Sequence, residues 1–195
     1  MPSAKPTSQK IMTVDEFTVW PGDGHGGRHQ LVDGEVRAMP PASATLGRIQ
    51  ANLAAILAKH LDVPGGKCGV VTEPAIATRI RARHNLRVPD LGVTCAPDAP
   101  GDVALPDPLL LIEIVSPGNA QDTWDNVWAY TSVPTISEIL IVQSTRIEAE
   151  LLTRQSDGSW PAEPRLIGSD GILRLASIGL EVPLRSAYAK TYLVA

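Results

Sequence analysis

At 195 residues with 44% hydrophobic content, the chain is long enough to bury the core of one ordinary domain. A net charge of -4 and a pI near 5.5 give no overall basic footprint of the kind nucleic-acid binders carry, although a local basic patch can coexist with an acidic average. The two cysteines, Cys68 and Cys95, fall in separate strand-like segments with no CxxC spacing and no histidine pair nearby, so neither a zinc site nor a disulfide framework is expected.

Residues 1–11 read as a flexible polar tail, and 12–195 as a single domain. The tail lacks the apolar stretch of a signal peptide, and no later run approaches the ~20 apolar residues of a membrane span. The expectation is a soluble, cytoplasmic protein with no membrane partner.

"TVDEFTVW" (13–20) predicts a short helix, with Thr13 as N-cap and Glu16 closing a capping box. In "RHQLVDGEVRAM" two strand-like runs meet at Asp33-Gly34, the strongest hairpin signal in the chain. "GRIQANLAAILAKHL" (47–61) aligns Ile49, Leu53, Ile56, Leu57 and Leu61 on one stripe, which predicts an amphipathic helix packed on a sheet. Strands are expected near 69–72, 75–81, 87–94 and 109–115. A helix over 122–131 should follow, with Trp124, Val127 and Trp128 facing the core and Asp122 as its N-cap. "EILIVQ" and "RIEAELLT" predict two strands paired across Ser144-Thr145, and the C-terminal stretch predicts short strands and a final helix. This order makes an α/β (α+β) fold: a mixed central sheet flanked by helices, with an N-terminal hairpin and additional C-terminal strands.

Two acids sit where strands should be apolar. Asp90 lies within "LRVPDLGVT", on the pleat face of Val88 and Gly92, and Pro89 beside it suggests a strand beginning or an edge. Glu113 interrupts "LLLIEIVS", a run with the look of a buried central strand. Burying a lone carboxylate costs several kcal/mol or raises its pKa, so each acid needs a partner or a cation. Between Arg87 and Arg146 there is no lysine or arginine, while Asp90, Asp98, Asp102, Asp107, Glu113, Asp122, Asp125 and Glu138 fall in that interval. Two acids at neighbouring strand ends in such a field suit Mg²⁺ or Mn²⁺ held through carboxylate oxygens. Asp125 and Glu138 read as solvated surface charges, and the tryptophans and tyrosines as core or subunit interface.

"LVDGEV" followed by "MPPAS", then "RVPDLGV" and "LLLIEIVSPGNAQD", together resemble the Uma2 family of bacterial endonucleases with the PD-(D/E)xK restriction-endonuclease fold. The resemblance runs from about Met12 to "LEVPL". It implies that Asp90 and Glu113 ligate a metal, Mg²⁺ or Mn²⁺, which activates water for hydrolysis of DNA phosphodiesters, and that a homodimer forms. It also implies three altered positions: the family's hairpin Glu is Gln30 here, the His opening the following helix is Leu46, and the Lys four residues after Asp122 is Asn126. Gln30 and Asn126 therefore join Asp90 and Glu113 as candidate catalytic residues, in a site whose activity is reduced or lost. Lys59 and Arg48, on the first long helix, read first as solvated surface charges, and are the cations that could otherwise substitute for the missing lysine.

Overall fold

A computed structural model of the chain describes residues 11–194, so the tail expected over 1–11 lies, Ile11 excepted, outside the described residues. The first helix, α1 (Val14–Thr18), is closed by the expected capping box: the Thr13 hydroxyl accepts from the Glu16 N–H at 3.3 Å, and the Glu16 carboxylate accepts from the Thr13 N–H at 2.8 Å. β1 (Arg28–Val32) and β2 (Glu35–Met39) form the hairpin. Its turn residues, Asp33 and Gly34, have φ of 52° and 88°, the left-handed pair that a two-residue turn of this kind requires.

α2 (Ala44–Leu61) leads to β3 (Gly69–Thr72) and β4 (Ile76–Ala77). β5 (Leu86–Arg87), β6 (Leu91–Thr94) and β7 (Pro108–Val115) follow. α3 (Ala120–Tyr130) carries the chain to β8 (Glu138–Gln143), β9 (Ala149–Thr153) and β10 (Arg165–Ile167). β11 (Ile172–Leu175) and β12 (Leu180–Pro183) pair with each other. The central sheet has six strands in the order β10-β9-β8-β7-β6-β3, with a second sheet ordered β2-β1-β5-β4. β7 and β8 run parallel, as a crossover through α3 demands, and their other neighbours are antiparallel.

Alternation along β7 divides the core. Leu110, Ile112 and Ile114 pack with Ile49, Leu53 and Leu57 of α2, while Leu111 and Val115 pack with Val127 and Tyr130 of α3. Glu113 falls in the second row, among apolar neighbours on the α3 side.

Several expectations need correction. The stretch 87–94 is not one strand: pairing stops after Arg87 and resumes at Leu91, because Pro89 has no N–H to offer a ladder. The strand expected over 75–81 is only two residues long, and the final helix is replaced by 3₁₀ turns at Leu184–Tyr188 and Tyr192–Val194. α3 begins at Ala120 with Asn119 as N-cap, so Asp122 lies in the first turn. Its buried stripe is Thr123, Asn126, Val127 and Tyr130, and Trp128 is 50% exposed. Glu138 is buried, accepting from the Ala176 and Ser177 N–H groups and the Ser177 hydroxyl. Cys68 and Cys95 form a disulfide. β3 and β6 pair antiparallel with Gly69 opposite Thr94, so the next residue outward on each strand is a cysteine.

Candidate active site

The joint between the two sheets explains the acid in "RVPDL". β5 belongs to the smaller sheet and β6 to the central one, and Val88, Pro89 and Asp90 carry the chain across. β6 pairs with β7 through Leu91 opposite Ile112 and Gly92 opposite Leu111. One residue further, that register sets Asp90 against Glu113. Both residues fall in the row of the pleat that includes Gly92 and Leu111, the side on which α3 packs. Asp90 Oδ2 accepts from the Ile114 N–H at 2.6 Å, which fixes the carboxylate against the end of β7.

Glu113 is 5% exposed, and its Oε1 accepts from the Tyr130 hydroxyl at 2.9 Å and from Asn126 Nδ2 at 3.4 Å. Burial, then the charge of Asp90, pushes the Glu113 carboxyl well above its usual range, against the pull of those two donors and of Arg87. Burial also raises Asp90, to about 6, with the Ile114 N–H and Arg28 opposing. Tyr130 is pushed up by burial and by the neighbouring Glu113, so its hydroxyl stays a donor.

Behind Asn126 lies a buried cation. Arg87 donates from Nη1 to Asn126 Oδ1 at 2.8 Å and from Nε to Asn85 Oδ1 at 3.1 Å. Desolvation lowers its pKa, yet a guanidinium stays protonated and offers only donors. Asn126 must therefore turn its carbonyl to Arg87, which leaves its NH₂ group for Glu113.

Gln30, Leu46, Asp90, Glu113, Asp122 and Asn126 all line one cavity of about 380 Å³. All four candidate catalytic residues are thus brought together, along with two further positions singled out by the resemblance. Gln30 Oε1 accepts from the Val88 N–H at 3.4 Å and so ties the hairpin to the joint. Arg48 and Lys59 are exposed and do not line the cavity. The cations near the acids are instead Arg28 and Arg37, which line it, and Arg87. The sequence reading missed all three, and Tyr130 as well. A two-residue turn at Asp33-Gly34 dictates Gln30 opposite Arg37, so the hairpin register held the signal for Arg37. Among the described residues no group of three or more His, Cys, Asp or Glu is placed to hold a metal ion.

Comparison with known proteins decides the family. The model of Uma2, described as "Putative restriction endonuclease", matches residues 14–185. The chain belongs to the Uma2 family. An uncharacterized protein of Synechocystis sp. is 28% identical over 151 residues, covering 76% of this chain and 77% of that one. Among solved structures, a nuclease of DUF820 from Anabaena variabilis, described as putative, superposes with a TM-score of 0.71, covering 91% of this chain and 98% of the other. At 16% identity that likeness shows a shared fold. The mixed sheet with its N-terminal hairpin and C-terminal strands is thus a Uma2 architecture, and the cavity at the sheet joint lies within the matched segment.

Proposed function

We propose that this Uma2 chain is a metal-dependent endonuclease that hydrolyses DNA phosphodiester bonds through a weakened active site, carried by one domain over 12–195 in the cytoplasm. The observation that carries this reading is the convergence of Asp90 and Glu113, from facing positions on neighbouring strands, on one cavity. The donor set fits Mg²⁺ or Mn²⁺. The hydrogen bonds to these carboxylates fall on Asp90 Oδ2 and Glu113 Oε1, which leaves Asp90 Oδ1 and Glu113 Oε2 as hard oxygen ligands. Mg²⁺ is characteristically held by one or two carboxylates, with water and substrate phosphate completing its shell. When bound, such an ion lowers the pKa of a coordinated water and offsets the charge of the scissile phosphate.

The chain's own groups set the rest. Tyr130 and Asn126 hold one oxygen of Glu113, so the other is aimed by the protein before any ligand arrives. The Asn126 NH₂ group stands where the family has a lysine, with the charge of Arg87 one residue behind it. A neutral amide stabilises developing anionic charge less than an ammonium does, and losing one positioned electrostatic group typically costs about 10² to 10³ in rate. Gln30 in place of Glu removes a negative charge from the metal's surroundings and should lower its affinity.

A second reading is an inactive nuclease-fold protein serving oligomerisation or partner binding. It is favoured by the deep burial of Glu113, which opposes the charged form that a metal needs. Supercoiled plasmid with Mn²⁺ separates the two. Wild type should nick slowly or not at all, Gln30→Glu with Asn126→Lys should raise the rate, and Asp90→Ala in that background should abolish it. Because Asn126→Lys removes the acceptor that Arg87 uses, the melting temperature of each variant is needed beside its rate. A folded double variant that binds Mn²⁺ and leaves the plasmid intact would move the assignment to the inactive class.

A further inference from the structure

β1 and β2 pair with Gln30 opposite Arg37 and Arg28 opposite Met39. Alternation along a strand then sets Arg28, Gln30, Arg37 and Met39 on one face of the hairpin, and all four line the cavity that holds Asp90 and Glu113. This face brings two guanidinium groups to a site whose other charged residues are acids. A polyanionic substrate needs such local cations, because a chain of net charge -4 offers no general attraction.

Arg37 is not locked in place. Arg37 Nη1 lies 3.5 Å from Asp122 Oδ1 and Nη2 lies 3.8 Å from Glu35 Oε2, with the Arg37 side chain 42% exposed and that of Asp122 61% exposed. Arg28 is paired with Glu73 through an Nη1 atom that is itself buried. The Arg37 pairs, open to water, are weak and exchange readily with another anion. A guanidinium fork also matches two phosphate oxygens at once, which a carboxylate-rich surface otherwise repels.

From these contacts we infer that Arg37 is a phosphate-binding arm for the DNA backbone, held across the cavity mouth by Asp122 in the free protein and transferred to a substrate phosphate on binding. The inference rests on the nuclease reading and names the residue that would grip its substrate. Asp122 competes with the phosphate for the same guanidinium, so removing either member of the pair has opposite consequences.

The test is fluorescence anisotropy of a labelled DNA duplex and of its single strand, titrated over a salt series with Ca²⁺ in place of Mg²⁺. Arg37→Ala should weaken binding about tenfold and reduce the slope of log K against log salt by about one phosphate contact. Arg37→Lys should keep the slope and lose part of the affinity, and Asp122→Asn should tighten binding several-fold. Asp122 is exposed and Arg37 half-buried with its side chain reaching solvent, so a melting temperature near wild type identifies variants that are properly folded. Arg37→Ala with wild-type affinity and slope overturns the arm while leaving the nuclease reading standing. Asp122→Asn binding that is no tighter overturns the holding contact. A wild-type chain that binds neither duplex nor single strand overturns both the arm and the nuclease reading.

Discussion

Asp90 carries the most direct consequence for behaviour in solution. Its carboxyl has a usual pKa of 3.8 and is pushed up to about 6 in the folded chain, chiefly by burial. The folded state therefore holds this proton more tightly than the unfolded state does. The stabilisation is fully present below about pH 4 and is lost as the pH rises through about 6. A tenfold difference in proton affinity is worth about 1.4 kcal/mol, so the contribution is on the order of 2 to 3 kcal/mol in all. Glu113, also raised by burial, acts in the same direction. In the metal-free protein the melting temperature should climb between pH 7 and pH 5. Asp90→Asn, whose side-chain oxygen can still accept from the Ile114 N–H, should flatten much of that climb. Stability that falls over this interval, or a climb undiminished in the variant, would contradict the account. Mn²⁺ affinity should move the opposite way, because protons compete with the metal for the same oxygens.

The elements that were legible in the sequence are those whose signals are local. The capping box at Thr13, the Asp33-Gly34 turn and the apolar stripe of α2 each depend on residues within a few positions of one another. The cysteine pair does not. Cys68 and Cys95 are 27 residues apart, and only the antiparallel register of β3 on β6 sets them opposite. Trp128 departs from its expected place for a related reason: α3 packs through Asn126 and Tyr130, whose polar atoms are satisfied by Arg87 and Glu113, so its buried stripe is not its most hydrophobic one. Closing a loop as long as the cysteine pair's by a disulfide stabilises a chain by about 3 to 4 kcal/mol in the entropic treatment. Urea unfolding should therefore show the reduced protein, or Cys68→Ser with Cys95→Ser, about 2 to 4 kcal/mol less stable than the oxidised one. Coincident unfolding curves with and without reductant would remove that role. Under reducing conditions the weaker form prevails, and β3, an edge strand, is the element it loosens.

At the scale of the whole molecule, the two acids were legible because carboxylates stand out in apolar strands, while Arg28 and Arg37 came to the site from a hairpin far away in sequence. The same long-range folding changes the argument for a homodimer. Ile139, Leu140, Ile141 and Val142, the apolar run of β8, are all fully buried within the chain's own core and offer nothing to a second copy. Of the central sheet's two edges, β10 and β3, the β10 edge carries a large apolar residue in the open: Leu166 is 61% exposed. An edge strand offers unpaired N–H and C=O groups to a second copy, and antiparallel pairing of β10 with itself satisfies two-fold symmetry. With three residues, β10 supplies far less than the roughly 1,200 to 2,000 Å² of a standard interface, so the expected dimer is weak and depends on concentration. Light scattering across the micromolar range should show the mean mass rising from monomer toward dimer, and Leu166→Lys should hold it at monomer. A monomer mass at tens of micromolar in the wild type rules out the dimer, and dimerisation unaffected by Leu166→Lys moves it to another surface.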